Sequence, residues 1–120
     1  MANKKVLVVD DDAINRKLII KILEKKGFEA VEASNGVEAL TTLNTNNDID
    51  IILLDIVMPV MNGIEFLKQI RTDSKYMDIP VIILTTDDTK KEETLTYGAN
   101  DIIIKPVSPV NLLEKMEKFV

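Results

Sequence analysis

Polar side chains stand at the ends of four apolar runs in this 120-residue chain, and together they could carry out metal and phosphoryl chemistry. The residues that end these runs are Asp10, Asp11, Asp12, Asp55, Thr85 and Lys105. Crowded carboxylates repel one another unless a cation lies between them, and hard oxygen ligands suit Mg²⁺, with Mn²⁺ as the alternative. Because Mg²⁺ usually combines one or two protein carboxylates with phosphate oxygens, these residues also predict a phosphoryl site.

Asp55 is the candidate nucleophile of such a site. A phosphoryl group transferred to its carboxylate would form an acyl phosphate, whose oxygens could be neutralised by the metal, by Lys105 and by a hydrogen bond from Thr85. Each residue also has a plainer explanation: Asp12 as a helix N-cap, Thr85 as a strand-end hydroxyl, Lys105 as a solvated charge. The prediction of a site therefore depends on all four strand ends meeting at one place.

The composition excludes several classes of function. The chain contains neither cysteine nor histidine, which excludes disulfides, zinc–thiolate sites and Ser-His-Asp hydrolysis, and any phosphoryl-carrying histidine must belong to another molecule. The net charge of −5 and the lack of a basic run disfavour direct nucleic acid binding. No apolar stretch reaches membrane-spanning length and no signal peptide is evident, so we expect a cytoplasmic protein without membrane insertion.

The apolar runs predict five strands that alternate with five helices. The predicted strands are residues 6–9, 28–33, 51–54, 80–84 and 101–104, and the helices begin near Ala13, Gly36, Gly63, Thr89 and Pro109. Helical spacing predicts that one stripe of each helix is buried. The stripe of the first helix is Ile14, Leu18, Ile19, Ile22 and Leu23; that of the second is Val37, Leu40 and Leu43; that of the last is Val110, Leu113, Met116 and Phe119.

This alternation indicates βαβ units, which build a parallel sheet with helices on both faces. We expect one α/β domain over residues 1–120. In such sheets the ligand site lies outside the carboxyl ends of the strands, where the strand order reverses. The candidate residues all fall at carboxyl ends.

Several of these stretches resemble the receiver domain of the two-component response-regulator family, and the resemblance covers essentially the whole chain. They are residues 8–12 (VVDDD), 53–63 (LLDIVMPVMNG), 84–86 (LTT), 98–101 (GAND) and 105–106 (KP). The resemblance implies a doubly wound, flavodoxin-like fold with strand order 2-1-3-4-5.

The resemblance also implies roles for the site residues. Asp55 would be the phosphoacceptor, Thr85 the switch hydroxyl and Lys105 the phosphate-pairing lysine, with a cis Lys105–Pro106 bond. The implied Mg²⁺ ligands are Asp10 through water, Asp11 and Asp55 directly, and the backbone carbonyl of Val57.

It implies partners as well. The phosphoryl donor would be a phosphohistidine of a sensor kinase or phosphotransfer protein. A downstream protein of unknown identity would read the fourth helix, fifth strand and fifth helix, and the chain would be a monomer or a weak phosphorylation-dependent dimer. The candidate residues of this output face are Lys90, Lys91, Glu92, Glu93 and Tyr97. Such a protein promotes only its own phosphorylation and dephosphorylation and is not otherwise an enzyme.

The chain departs from the common receiver pattern at a few positions. Ile102 stands three residues before Lys105, where many receivers carry an aromatic residue, so the rotation of an aromatic ring cannot serve as the switch. Thr86 is bulkier than the small residue usual there. Val57 and Asp87 are expected to border the path of hydrolytic water. The pair Asn15-Arg16 resembles receivers attached to hybrid sensor kinases, which leaves open whether the chain is a separate regulator or part of a larger protein.

Three other functions compete with the signalling switch: a scaffold, a phosphatase and a flavin-binding protein. A receiver-like scaffold could bind partners without phosphorylation, but such proteins usually lack part of the acidic site. A haloacid-dehalogenase-like phosphatase needs a second acidic pair beyond its lysine, and only Glu114 and Glu117, inside the last helix, follow Lys105. Flavin binding is disfavoured because the loop after the first strand is acidic.

Overall fold

Five strands and five helices alternate along the chain in a computed structural model that describes residues 4–46, 48–56, 61–86 and 91–120. The strands are β1 (Lys5–Val9), β2 (Glu29–Ala33), β3 (Ile51–Asp55), β4 (Val81–Thr85) and β5 (Asp101–Ile104). The helices are α1 (Ala13–Lys25), α2 (Gly36–Thr45), α3 (Gly63–Arg71), α4 (Lys91–Thr96) and α5 (Pro109–Glu117). The predicted alternation is confirmed, with strand limits that differ by at most one residue at either end.

All neighbouring strands pair in parallel, in the order β2-β1-β3-β4-β5. This is the doubly wound, flavodoxin-like order that the sequence resemblance implied. The order reverses between β1 and β3, where Val9 pairs with Leu54. Asp10 and Asp55 are the next residues on these two strands, so the strand pairing itself brings them to the same edge.

The strands have no alternation of apolar and polar residues because both faces of the sheet are covered. Leu7 and Val9 of β1 pack into one core with α2 and α3, whereas Val6 and Val8 pack into a second core with α1 and α5. Successive side chains of a strand point to opposite faces, so each apolar run fills both cores. The site edge is thereby held on a rigid sheet.

Side-chain caps begin the helices that position the site. Asp12 accepts hydrogen bonds from the backbone N–H groups of Ile14 and Asn15 and is the N-cap of α1, as predicted. Ser108, directly before the predicted helix start at Pro109, caps α5. Gly98 follows α4 with φ of 106°, a left-handed conformation in which glycine has no Cβ penalty.

The predicted buried stripe of α1 was partly wrong. Ile14 and Leu18 are 77% and 56% exposed, and the side chains that face the sheet are Ile19, Ile20 and Leu23. At 3.6 residues per turn, Ile14 and Leu18 lie on the opposite side of the helix from the centre of this buried group. The sequence of α1 thus contains two apolar faces, of which packing against the sheet selected one.

The same error affected two other helices. Val110 of α5 is 66% exposed while Leu112 and Met116 are buried, and Val37 of α2 is 47% exposed. Val110 is opposite Leu112 on the helix, so the two side chains cannot share one face. Among the helices of the described residues, none has the length and apolar character needed to cross a membrane.

Candidate functional site

Three carboxylates meet at the switch point of the sheet. Oxygen atoms of Asp10, Asp11 and Asp55 all lie within 4.8 Å of one another. Asp10 is 0% exposed and Asp55 is 7% exposed, whereas Asp11 is open to solvent. Three carboxylates this close repel one another strongly at neutral pH, and all-oxygen ligands suit Mg²⁺ or Mn²⁺. These residues therefore fit a divalent cation.

Lys105 supplies one positive charge to this group. Its Nζ lies 3.4 Å from Oδ2 of Asp10 and 3.4 Å from Oδ2 of Asp55. The Lys105–Pro106 bond is cis, as the resemblance implied. One ammonium against three carboxylates leaves the group two negative charges in excess, which a divalent cation would balance.

Thr85 lies at the same edge, one strand from Asp55. It is the last residue of β4 and is 4% exposed. In the register of the sheet Asp55 pairs with Leu84, and Thr85 pairs with Ile104, which directly precedes Lys105. The backbone N–H of Lys105 also donates to the carbonyl oxygen of Thr85 at 2.7 Å. The fold thus brings together Asp10, Asp11, Asp55, Thr85 and Lys105 of the residues predicted from the strand ends, whereas Asp12 is the N-cap of α1.

The start of α3 presses against the backbone of Asp55. Gly63 donates its N–H to the carbonyl oxygen of Ile56 at 2.8 Å. A Cβ on Gly63 would lie 2.4 Å from the carbonyl oxygen of Asp55 and 2.8 Å from the Cα of Ile56. Only glycine permits this approach, so Gly63 helps to define where the backbone of Asp55 lies.

Two residues outside the predicted site contact Asp10. Asn15 donates from Nδ2 to Oδ2 of Asp10 at 2.6 Å, and Arg16 donates from Nη1 to the backbone oxygen of Asp10 at 2.6 Å. Arg16 also bonds Oε1 of Glu32 at 2.7 Å. Hydrogen bonds from Lys17 and then Arg16 hold the pKa of Glu32 below its ordinary value, although burial opposes them. The sequence showed the Asn15-Arg16 pair, but two adjacent residues do not indicate which atoms their side chains will contact.

Other predicted features can be located only in part. Val57, Asp87 and Lys90 lie outside the described residues, as does Thr89, near which the fourth helix was predicted to begin. Ile102 is 6% exposed and packs into the core with α3, so an aliphatic side chain occupies the expected aromatic position. Thr86 is exposed next to the site.

The output-face residues are located more fully. Lys91, Glu92 and Glu93 are exposed on α4. Tyr97 packs partly against the core beneath Lys68, whose Nζ lies 4.2 Å from the ring centroid. Glu114 and Glu117, the acids a phosphatase of the dehalogenase type would need, are exposed on α5.

A parallel sheet in the order 2-1-3-4-5, with acids after β1 and β3, a hydroxyl after β4 and a lysine after β5, defines a phosphoacceptor switch domain. The response regulator receiver domain family matches residues 6–117 of the chain. The chain belongs to this family, whose general function is phosphorylation-dependent switching. It is a signalling switch and not a member of a classical enzyme family.

Named relatives agree with this assignment. The chain is 42% identical over 116 residues to the chemotaxis protein CheY1 of Helicobacter pylori, covering 94% of each chain. It is 42% identical over 116 residues to a chemotaxis protein CheY homolog of Campylobacter jejuni, covering 94% of this chain and 89% of the relative.

Solved structures agree as well. Chemotaxis response regulator CheY4 of Vibrio cholerae superposes with a TM-score of 0.92 at 36% identity, covering 99% of this chain and 100% of that one. The receiver domain of sensor histidine kinase PA1611 from Pseudomonas aeruginosa, with a magnesium ion coordinated in its active site cleft, superposes with a TM-score of 0.89 at 25% identity, covering 98% of each chain.

Proposed function

We propose that this chain accepts a phosphoryl group on Asp55 from a phosphohistidine of a sensor kinase or phosphotransfer protein, and that residues 1–120 act as one receiver domain. The observation that carries the proposal is the grouping of Asp10, Asp11 and Asp55 within 4.8 Å, with Lys105 at 3.4 Å from two of them. A structural ion pair would need one acid for one lysine. Three acids around one lysine favour a site that receives further positive charge and a phosphoryl group.

In the transfer, a carboxylate oxygen of Asp55 attacks phosphorus. One P–O bond forms and the P–N bond to the donor's histidine breaks, and the imidazole keeps the electron pair and takes up a proton. A magnesium ion held by Asp10, Asp11 and Asp55, or Mn²⁺ in its place, would supply positive charge to the phosphoryl oxygens. The carbonyl of Val57 stays a predicted further ligand.

Lys105 and Thr85 then have separate tasks. The ammonium of Lys105, 3.4 Å from Oδ2 of Asp55, is close enough to pair with an oxygen of a phosphoryl group attached there. Thr85 would donate its hydroxyl to another phosphoryl oxygen. Thr85 is the last residue of β4, and the next helix along the chain is α4. Movement of this side chain would therefore pull on the start of that helix.

The exposed apolar face of α1 fits the donor protein. Ile14 and Leu18 are exposed on the helix that follows the acidic residues, and a groove lined by Leu18 extends to Pro106, the residue after Lys105. A phosphohistidine must approach Asp55 closely, so the donor's surface has to cover this rim. Lys17 and Lys21 line the same face, which favours a donor with acidic side chains around its apolar contact.

The face formed by α4, β5 and α5 would carry the signal onward to a downstream protein. Leu95 and Ile104 are 39% and 42% exposed there and supply apolar contact area. A monomer or a weak phosphorylation-dependent dimer remains our prediction for the oligomeric state.

The experiment is an intact-mass measurement after incubation with acetyl phosphate and MgCl₂. We expect one added phosphoryl group in the wild-type protein and none in Asp55→Asn or after chelation of the metal. Asp12→Asn is the matched control, because asparagine also caps helices and Asp12 is an exposed neighbour in the same acidic run. Phosphoryl uptake by Asp55→Asn would refute the assignment. If the wild-type protein takes up none even from a phosphorylated kinase histidine, a scaffold that works without phosphorylation is the better description.

A further inference from the structure

The buried carboxylate of Asp10 is held mainly by the first turns of α1. Its Oδ1 accepts the backbone N–H of Asp12 at 2.9 Å. Its Oδ2 accepts two side-chain donors, the Nδ2 of Asn15 at 2.6 Å and the Nζ of Lys105 at 3.4 Å. The shorter of these two bonds comes from a neutral side chain that the phosphoryl chemistry has not used.

We propose that Asn15 is a positioning residue of the phosphoryl site: its amide satisfies Oδ2 of Asp10 and so leaves Lys105 available for Asp55. This inference rests on the proposed function. The ammonium of Lys105 lies equally far, 3.4 Å, from Asp10 and from Asp55. A phosphoryl group on Asp55 attracts this ammonium, and Asp10 then loses its hydrogen bond from Lys105.

Because Asp10 is buried, movement of Lys105 from Asp10 to Asp55 is costly unless another group donates a hydrogen bond to Asp10. Asp10 is 0% exposed, and a buried carboxylate that loses a hydrogen-bond donor has no water to replace it. With Asn15 in place, Oδ2 keeps a donor at 2.6 Å when Lys105 moves. Without Asn15, Lys105 is held at Asp10, where it also opposes the binding of a cation between the acids.

Arg16 fixes the start of α1, and with it Asn15, relative to Asp10. It donates to the backbone oxygen of Asp10 at 2.6 Å and is anchored on Glu32 of β2 at 2.7 Å. The start of α1 is therefore fastened to the end of β1 and to the neighbouring strand. The amide of Asn15 projects from this fixed backbone, which is what a precise donor to one carboxylate oxygen requires.

The test compares Asn15→Leu with the wild-type protein, with Glu24→Ala as the control on an exposed position of the same helix. Mn²⁺ affinity is measured from the electron paramagnetic resonance signal of the free ion. The rate of phosphoryl uptake from acetyl phosphate is measured at saturating Mg²⁺. We expect Asn15→Leu to weaken Mn²⁺ binding about tenfold and to lower the saturated rate about tenfold, the lower end of losses seen when groups supporting metal ligands are removed. Glu24→Ala leaves both unchanged.

A second arm separates positioning from general stability. In a Lys105→Met background, Asn15→Leu should lower the saturated rate by much less than tenfold, because no lysine remains to be held at Asp10. Loss of the remaining side-chain donor to Oδ2 of Asp10 should still weaken Mn²⁺ binding there. Equal Mn²⁺ affinity and equal saturated rate in Asn15→Leu and wild type would overturn the inference alone, as would a full additional loss of the saturated rate in the Lys105→Met background. A wild-type protein that takes up no phosphoryl group would overturn the proposed function as well. If Asn15→Leu does not fold, Asn15→Ala carries the same test.

Discussion

Gly63→Ala offers a sharp test of how the backbone of Asp55 is held. The added Cβ would lie 2.4 Å from the carbonyl oxygen of Asp55 and 2.8 Å from the Cα of Ile56. Both neighbours are backbone atoms, so relief requires α3 and the end of β3 to move apart by about 1 Å, and such overpacking costs ~1–3 kcal/mol. The lower entropy of alanine in the unfolded chain returns ~0.4–1 kcal/mol. Because backbone atoms cannot rotate away, the overpacking cost lies near the upper end of its range, and ~3 kcal/mol less the ~0.4–1 kcal/mol returned leaves a net loss of about 2 kcal/mol of unfolding free energy.

Gly36→Ala is the matched control. Gly36 is also the first residue of a helix behind an asparagine N-cap, and it is also buried. Its added Cβ would meet the Met61 side chain, at 2.6 Å from Cγ and 2.8 Å from Cβ and Sδ. Rotation of the flexible methionine moves its Cγ and Sδ away and leaves only the contact with its Cβ, so we expect a smaller loss than at Gly63, of ~0–1 kcal/mol.

Urea unfolding measures both variants. With a urea dependence of ~2 kcal/mol per molar, Gly63→Ala should unfold at about 1 M lower urea than wild type, and Gly36→Ala at no more than ~0.5 M lower. Phosphoryl uptake from acetyl phosphate should also be slower in Gly63→Ala alone, because its Asp55 is displaced. Two variants whose unfolding free energies agree within ~0.5 kcal/mol would refute the reasoning.

Three further predictions concern charged side chains. Lys105→Met should tighten Mn²⁺ binding severalfold, because it removes the ammonium group that lies 3.4 Å from both Asp10 and Asp55. The same variant should slow phosphoryl uptake ~10²-fold. Weaker Mn²⁺ binding would contradict this prediction. Arg71→Lys should lower the unfolding free energy by ~1–3 kcal/mol, because lysine cannot reproduce the hydrogen bonds from the guanidinium to the carbonyl oxygens of Gly98 and Tyr76 and to Oδ1 of Asn100. Burial of this group is also what lowers the pKa of Arg71. An unchanged midpoint in urea unfolding would argue against the prediction. The pKa of Asp101 is lowered, since the Ile102 N–H and Lys115 outweigh the opposing effect of burial, so this carboxylate stabilises the fold above the ordinary aspartate pKa of about 4 and the contribution is lost as pH falls below it. Lys115→Met should therefore cost ~0.5–1 kcal/mol at neutral pH and progressively less as the pH falls through the lowered pKa of Asp101, and a difference independent of pH would exclude this ion pair as the cause.

The site was more predictable from the sequence than the helix surfaces were. Asp55 and Thr85 are the last residues of their strands, Asp10 and Lys105 directly follow theirs, and in a parallel sheet all carboxyl ends lie at one edge. Four local observations were therefore enough to predict a three-dimensional grouping. The strand order itself could not be worked out from the apolar runs and came from the family resemblance.

The contacts of Asn15 and Arg16 could not have been predicted in the same way. Both reach back across the turn between β1 and α1, to Oδ2 and to the backbone oxygen of Asp10. Such bonds depend on the angle at which the helix leaves the strand and on the side-chain rotamers. Neither quantity is encoded in residue spacing.

By itself, the sequence determined the alternation of strands and helices, the caps at Asp12 and Ser108, and the polar residues at the site edge, because each depends on local chemistry and on the repeat of one element. Only the tertiary structure decided which apolar face of α1 meets the sheet, leaving Ile14 and Leu18 exposed. It also decided that Oδ2 of Asp10 is shared between Asn15 and Lys105. These features depend on how separate elements pack against one another, and the pattern of residues within one element does not contain that information.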